Sequence, residues 1–209
     1  MLVSLSVQQF LAELANGSAT PGGGSVAGLA GAQGAALLAM VCNLTLGRKK
    51  YAAVADEMQE ALDSVERLRL RLMALMEEDV RAFDGVMAAY ALPRETPAQK
   101  AARSAAIQAG LKEATRTPAE TLAACVQVLE LAPGIVRSGN ANVISDGGAG
   151  VLAAHAGMMT AALNVRINLN AIKDDAFVVE QLAAMEALLA RGDVAKENAW
   201  QIVSERLGM

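Results

Sequence analysis

The sequence predicts an all-α protein, a single-domain helical bundle with long central helices over residues 1–209. Three observations lead there. Ala, Leu, Val and Met dominate an apolar content of 54% while aromatic residues supply 3%, a mixture that suits helices and starves strands. Apolar residues recur at the i, i+3, i+4 step over long stretches. No linker, repeat or low-complexity segment divides the chain, whose length is enough to bury about 70% of its unfolded surface in one core.

Val7, Phe10, Leu11 and Leu14 mark a short first helix, ended by Asn16-Gly17. The second is expected over residues 25–46, stopping at Gly47, with Arg48, Lys49 and Lys50 beyond it, where cations complement a helix C-terminus. Gly24, Gly28, Gly31 and Gly34 thin one side of it. Each glycine costs about 1 kcal/mol relative to alanine inside a helix, so their clustering implies close packing or a ligand against the backbone. Residues 52–91 read as one long helix with a buried stripe through Leu68, Leu72, Leu75, Phe83, Val86 and Tyr90. A fourth helix over 98–131 turns Ile107, Leu111, Leu122, Cys125 and Leu129 inward, with Pro118 as a kink or break and Pro133-Gly134 opening an irregular segment. Ser145 or Asp146 is placed to cap a helix over 145–170, and two charged helices, 175–190 and 194–207, close the chain.

Composition removes several functions. The net charge is −4 and no basic stripe alternates with aromatics, so no nucleic-acid partner is expected. One histidine and two cysteines offer no zinc spacing, and no metal or cofactor is expected. The first fifteen residues lack a basic residue ahead of their apolar positions, unlike a secretory or transit signal, and the cytoplasm is the expected location. Residues 26–46 carry no charge and are followed by three basic residues, as a membrane span would be. Their Ala and Gly content, with Gln33 and Asn43 inside, suits a helix packed on all sides in a bundle, and no membrane partner is expected. Gly148-Ala149-Gly150-Val151-Leu152-Ala153 fits a loose dinucleotide fingerprint but follows no strand.

Asp79 stands out because it lies four residues after Leu75 and four before Phe83, inside the apolar stripe. Desolvation there raises a carboxyl pKa and makes it a proton carrier, unless it is a core carboxylate tied to a helix end or an arginine such as Arg103. Lys49 and Lys50 read from position as solvated cations closing the second helix. Asn164 and Asn168 lie one turn apart and offer a heterocycle donors and acceptors, or else bond between helices; Asp146 shares their face but sits roughly 27 Å from Asn164 along the axis.

Pro21-Gly22-Gly23-Gly24-Ser25-Val26-Ala27, leading into a small-residue helix that ends Asn43-Leu44-Thr45-Leu46-Gly47-Arg48-Lys49-Lys50-Tyr51, resembles the formiminotetrahydrofolate cyclodeaminase and methenyltetrahydrofolate cyclohydrolase family. Glu78-Asp79 with Ala82-Phe83, Leu92-Pro93 with Thr96, Gly139-Asn140 with Ser145-Asp146, and Asn164-Val165-Arg166-Ile167-Asn168 extend the resemblance in the same order along nearly the whole chain. It implies a helical homodimer binding a folate substrate in a groove lined by the glycine loop. It makes Asp79 the acid-base group and Lys50 its active-site companion, holding the aspartate ionised or stabilising the adduct. Pro21, Gly22, Gly23, Gly24, Ser25, Asn43, Arg48, Lys49, Asn140, Asp146, Asn164 and Asn168 become substrate-binding candidates. Members fused to a formiminotransferase domain receive formimino-folate from it, and no such partner domain is expected here. Hydrolysis of the methenyl bridge is therefore expected ahead of cyclodeamination. The reading from another class is a helical adaptor or membrane-associated oligomer whose glycine face packs only against helices.

Overall fold

The computed structural model describes residues 1–209 as six α-helices joined by short turns, with no strand. α1 (Val7–Ala15) opens on a capping box, Ser6 accepting from the Gln9 N–H while the Gln9 side chain accepts from the Ser6 N–H. α2 (Gly23–Asn43), α3 (Ala55–Tyr90), α4 (Pro97–Ser138), α5 (Ile144–Leu169) and α6 (Asp175–Leu207) follow. α2 is flanked by α3 and α5 with α4 behind it, and α6 covers the far side of α4 and α5.

The small residues of α2 and α5 explain how these helices meet. A Cβ at Gly34 would come within 2.7 Å of the Gly150 carbonyl and the Ala154 amide nitrogen, and one at Gly157 within 2.7 Å of the Gly31 nitrogen. Backbone therefore lies against backbone. Positions fall along α2 as they rise along α5, since Gly34 meets Ala154, Gly31 meets Gly157 and Gly23 meets Asn164, so the two helices run antiparallel. α2, α4 and the segment Ala141–Leu169 are each long and apolar enough to cross a membrane by length and composition, and in the bundle 50–61% of each apolar window is buried.

Several expected boundaries move, each for a packing reason. α2 ends at Asn43 rather than near 46, and the chain reverses through Gly47, whose φ of +73° lies in the left-handed region. α4 continues through both Pro118 and Pro133 to Ser138. Pro118 has no N–H to offer the Ala114 carbonyl, and the Asn168 side chain from α5 donates to that carbonyl at 3.1 Å. Neither Ser145 nor Asp146 caps α5: Val143 holds that position without a side-chain bond, and Asp146 sits in the first turn. The two closing helices are one, because Gly192 lets α6 pass directly over Met158 of α5 where any side chain would collide. Phe83 and Tyr90, expected in the core, are exposed on α3, whose C-terminal turns run beyond the start of α2.

Candidate functional site

α2 is shorter than the helices around it, and the space past its N-terminus becomes a cleft of about 360 Å³ between α3, α4 and α5. Its floor is Gly22, Gly23 and Gly24 with Asp79; Phe83, Met87 and Tyr90 form one wall, and Asn164, Ile167 and Asn168 the other.

Asp79 closes the end of α2. Gly22 at the N-cap has no side chain to satisfy the first amides, and Asp79 reaches across from α3 to accept from the Ser25 hydroxyl at 3.2 Å and from the Ser25 N–H. The carboxylate is thus tied to a helix end, and it also faces the cleft. Burial pushes its pKa above the ordinary carboxylate value, and the two Ser25 donors pull it partly back. The contact requires Gly24, because a Cβ there would fall on the Asp79 carboxylate. The glycines serve close approach, not unusual backbone angles, since neither Gly22, Gly23 nor Gly24 has a positive φ. Ser25 is fully buried behind Asp79, its hydroxyl directed to Asp79 and the Met76 carbonyl, and it lies outside the cleft lining. Pro21 is buried beneath the loop and lies outside the cleft lining.

Arg103 is no partner of Asp79. It donates twice to the Tyr90 carbonyl and lies over the Tyr90 ring, 5.4 Å from its centre, bracing the far end of the wall. Asn164 donates to the Thr160 carbonyl at 2.8 Å and Asn168 to Ala114, so one N–H of each amide is used inside the protein while both side chains line the cleft. The wall residues Phe83, Met87, Tyr90 and Ile167 were absent from the sequence-derived candidates. Their signal was spacing, because Phe83 and Tyr90 follow Asp79 at four and eleven residues and so share its face of the helix.

The remaining candidates gather at the opposite end of α2. Gly24 to Asn43 is nineteen residues, about 28 Å along the helix. Asn43, Arg48, Lys49 and Lys50 are exposed there, and Lys50 lies over the Tyr51 ring, 5.4 Å from its centre. Lys50 therefore does not neighbour Asp79 within the chain. Asn140 is 3% exposed and fully engaged: its amide nitrogen donates to the Leu44 carbonyl, its oxygen accepts from Asn142 N–H and Tyr51 hydroxyl, and its backbone N–H donates to Thr45. It ties the 44–51 turn to the start of α5 and lies outside the Asp79 cleft. Asp146 also lies at this end, outside the cleft.

No group of three His, Cys, Asp or Glu side chains converges in a metal-ligand arrangement. Burial pushes the Cys42 thiol up to about 11 and the Cys125 thiol up to about 12, which makes both poor nucleophiles. Asp79 is the only carboxylate in the cleft lining, and desolvation raises its pKa.

Comparison with known proteins gives the same fold and family. The fold matches that of a formiminotetrahydrofolate cyclodeaminase crystal structure from Thermotoga maritima with a TM-score of 0.88 and 28% identity, covering 99% of this chain and all of that one. A methenyltetrahydrofolate cyclohydrolase of Methylorubrum extorquens is 45% identical over 202 residues, 97% of each chain. A formimidoyltransferase-cyclodeaminase of Rattus norvegicus is 32% identical over 188 residues, and the match spans 35% of that longer protein. The family model for formiminotransferase-cyclodeaminase matches residues 6–187, and the chain belongs to that family.

Proposed function

We propose that this chain is a methenyltetrahydrofolate cyclohydrolase, converting 5,10-methenyltetrahydrofolate to 10-formyltetrahydrofolate with Asp79 as general acid-base. The observation that carries this reading is the half-buried carboxylate, held by Ser25 at the head of α2 and facing an apolar cleft. The full-length similarity to the Methylorubrum cyclohydrolase supports hydrolysis ahead of deamination.

The methenyl bridge is a cation, and a cleft with one carboxylate and no basic side chain in its lining suits it. Water adds to the bridge carbon as Asp79 takes one of its protons, forming a tetrahedral carbinolamine. The bond from that carbon to the pterin N5 then breaks, Asp79 returns its proton to N5, and the hydroxyl proton leaves to solvent as the formyl carbonyl forms. Positive charge on the substrate favours ionised Asp79 at the start, and loss of that charge in the adduct favours its protonation, so the chemistry itself drives the proton both ways. Phe83, Met87, Tyr90 and Ile167 supply apolar surface for the pterin and aminobenzoyl rings, and the Asn164 and Asn168 amide oxygens face the heterocycle rim. The reaction as proposed uses no metal or cofactor, and the enzyme acts in the cytoplasm as a homodimer.

The test is assay of the purified chain against methenyl- and formimino-tetrahydrofolate side by side, following the methenyl chromophore and released ammonia. Rapid chromophore loss in buffer free of metal and nucleotide is expected. Ammonia release with an unchanged methenyl rate would make it a cyclodeaminase, and no saturable folate binding would return it to the adaptor class.

A further inference from the structure

We propose that Asn164 and Asn168 decide which ring the cleft accepts and which way round it lies, by taking the donor edge of the pterin opposite N5. Asn164 accepts from the N8–H and Asn168 from the 2-amino group. The inference rests on the folate reading above and adds how the ring is recognised and turned toward Asp79.

Hydrogen bonds within the chain fix both amides. The Asn164 nitrogen donates to the Thr160 carbonyl at 2.8 Å and the Asn168 nitrogen to the Ala114 carbonyl at 3.1 Å. Only the nitrogen of an amide can donate to a carbonyl, so neither side chain can be turned over without losing its bond. Each oxygen is thereby left as a free acceptor: no donor of the chain reaches it, and neither oxygen is buried without a partner. The Asn168 tie is held from α4, because Pro118 leaves the Ala114 carbonyl without its helical donor. These two amides and Ile167 are all that α5 contributes to the cleft, so that wall accepts hydrogen bonds at two points and is apolar between them.

The glycine floor sets the level of the ring. A Cβ on Gly23 would lie 3.4 Å from the Asn164 amide, and one on Gly24 would fall on the Asp79 carboxylate. Consecutive floor residues thus carry Asn164 on one side and Asp79 on the other. In a pterin, N8 stands directly across the reduced ring from N5, so a ring with N5 at Asp79 turns its N8–H to Asn164. The fused pyrimidine ring then extends along α5 past the end of α2, where Asn168 lies one turn further on, beside Ala114. The donor of that ring on the same edge is the 2-amino group. Its separation from N8, with N1 between them, is close to the roughly 5–6 Å between side chains one helical turn apart. The reverse placement sets the 4-carbonyl against an asparagine oxygen, acceptor against acceptor. A fully oxidised pterin fails as well, because its N8 carries no hydrogen. A site built to accept a hydrogen bond rejects an analogue that lacks the donor, since its own acceptor is left unpaired.

The experiment is an affinity cycle between protein and ligand. Calorimetry gives the dissociation constants of three ligands for the wild type, Asn164→Leu and Asn168→Leu. The ligands are tetrahydrofolate, 8-deazatetrahydrofolate, in which CH2 replaces the N8–H, and 2-desamino-2-methyltetrahydrofolate. The wild type should bind each analogue roughly tenfold or more weakly than tetrahydrofolate. Asn164→Leu should lose the discrimination against the 8-deaza ligand and keep that against the 2-desamino ligand, and Asn168→Leu should do the reverse. Side chains acting only through the fold would weaken all three ligands by one factor, and unchanged ratios in both variants would overturn the proposal. A wild type that binds the three ligands equally would overturn it too, because the other edge would then face α5. Asn164 bonds only within its own helix, so if Asn168→Leu does not fold, the 8-deaza ratio in Asn164→Leu decides alone. A wild type without saturable tetrahydrofolate binding ends the folate reading and this inference together. Saturable binding with methenyl-folate turnover and unchanged ratios sinks the edge assignment and leaves that reading standing.

Discussion

The two ends of α2 carry equally conspicuous sequence blocks and do opposite things with them. At the glycine end, side chains have been removed so that a carboxylate from another helix can lie against the first turn, and the result is a desolvated ionisable group beside open space. At the basic end, polar side chains have been added, Thr45, Tyr51 and Asn140, and they satisfy one another so that a sharp reversal holds its shape. The first end sets a desolvated carboxylate beside a cleft and the second presents exposed cations. A motif made of glycines and one made of polar residues thus call for different tests, because loss of the first acts on chemistry and loss of the second on the fold.

The largest expected effect is at Asp79. Asp79→Asn should lower kcat about 100- to 10,000-fold, the usual contribution of general acid-base help, while the melting temperature holds because the nearly isosteric amide keeps an oxygen that accepts from Ser25. Steady-state kinetics and a thermal melt on one preparation check both halves, and wild-type turnover would reduce Asp79 to a cap. Next comes the contrast within the loop. Gly24→Ala places a Cβ on the carboxylate and should cost about 1–3 kcal/mol together with most activity, as overpacking does. Gly23→Ala meets only the Asn164 amide at 3.4 Å, an ordinary contact, and should leave the urea midpoint near that of the wild type.

At the basic end, Asn140→Ala should cost about 1–3 kcal/mol by leaving the half-buried Leu44 carbonyl without its donor, with kcat at saturating substrate retained. A large kcat loss without loss of stability would place Asn140 in the chemistry after all. The smallest effect is the pH dependence. Asp79 holds its proton more tightly in the fold than in the unfolded chain, so stability should fall as pH rises from the ordinary carboxylate value through the raised one. Urea midpoints across that range should show a slope in the wild type that Asp79→Asn removes. Ser25→Ala takes away a donor that favours the ionised form, and the acidic limb of the rate profile should move to higher pH.

Helix content, the positions of five of the six helices and the place of Asp79 on the apolar stripe of α3 were all legible in one dimension, because each depends on periodicity along a single helix. What was misread depends on neighbours far away in sequence. Pro118 does not break α4 because Asn168, fifty residues on, supplies the donor it lacks, and Gly192 does not end α6 because Met158 occupies the space it leaves. Phe83 and Tyr90 follow the apolar rhythm faithfully, yet they face a cleft, since whether a stripe is covered depends on the length of the helix opposite it. The distance between Asp79 and Lys50, which lie at opposite ends of α2 within one chain, was illegible for the same reason: a sequence carries no ruler across the fold. Local pattern sets which face of a helix is apolar and which residue on it is out of place. Only tertiary packing decides what that face meets, because burial and desolvation are properties of the space between elements.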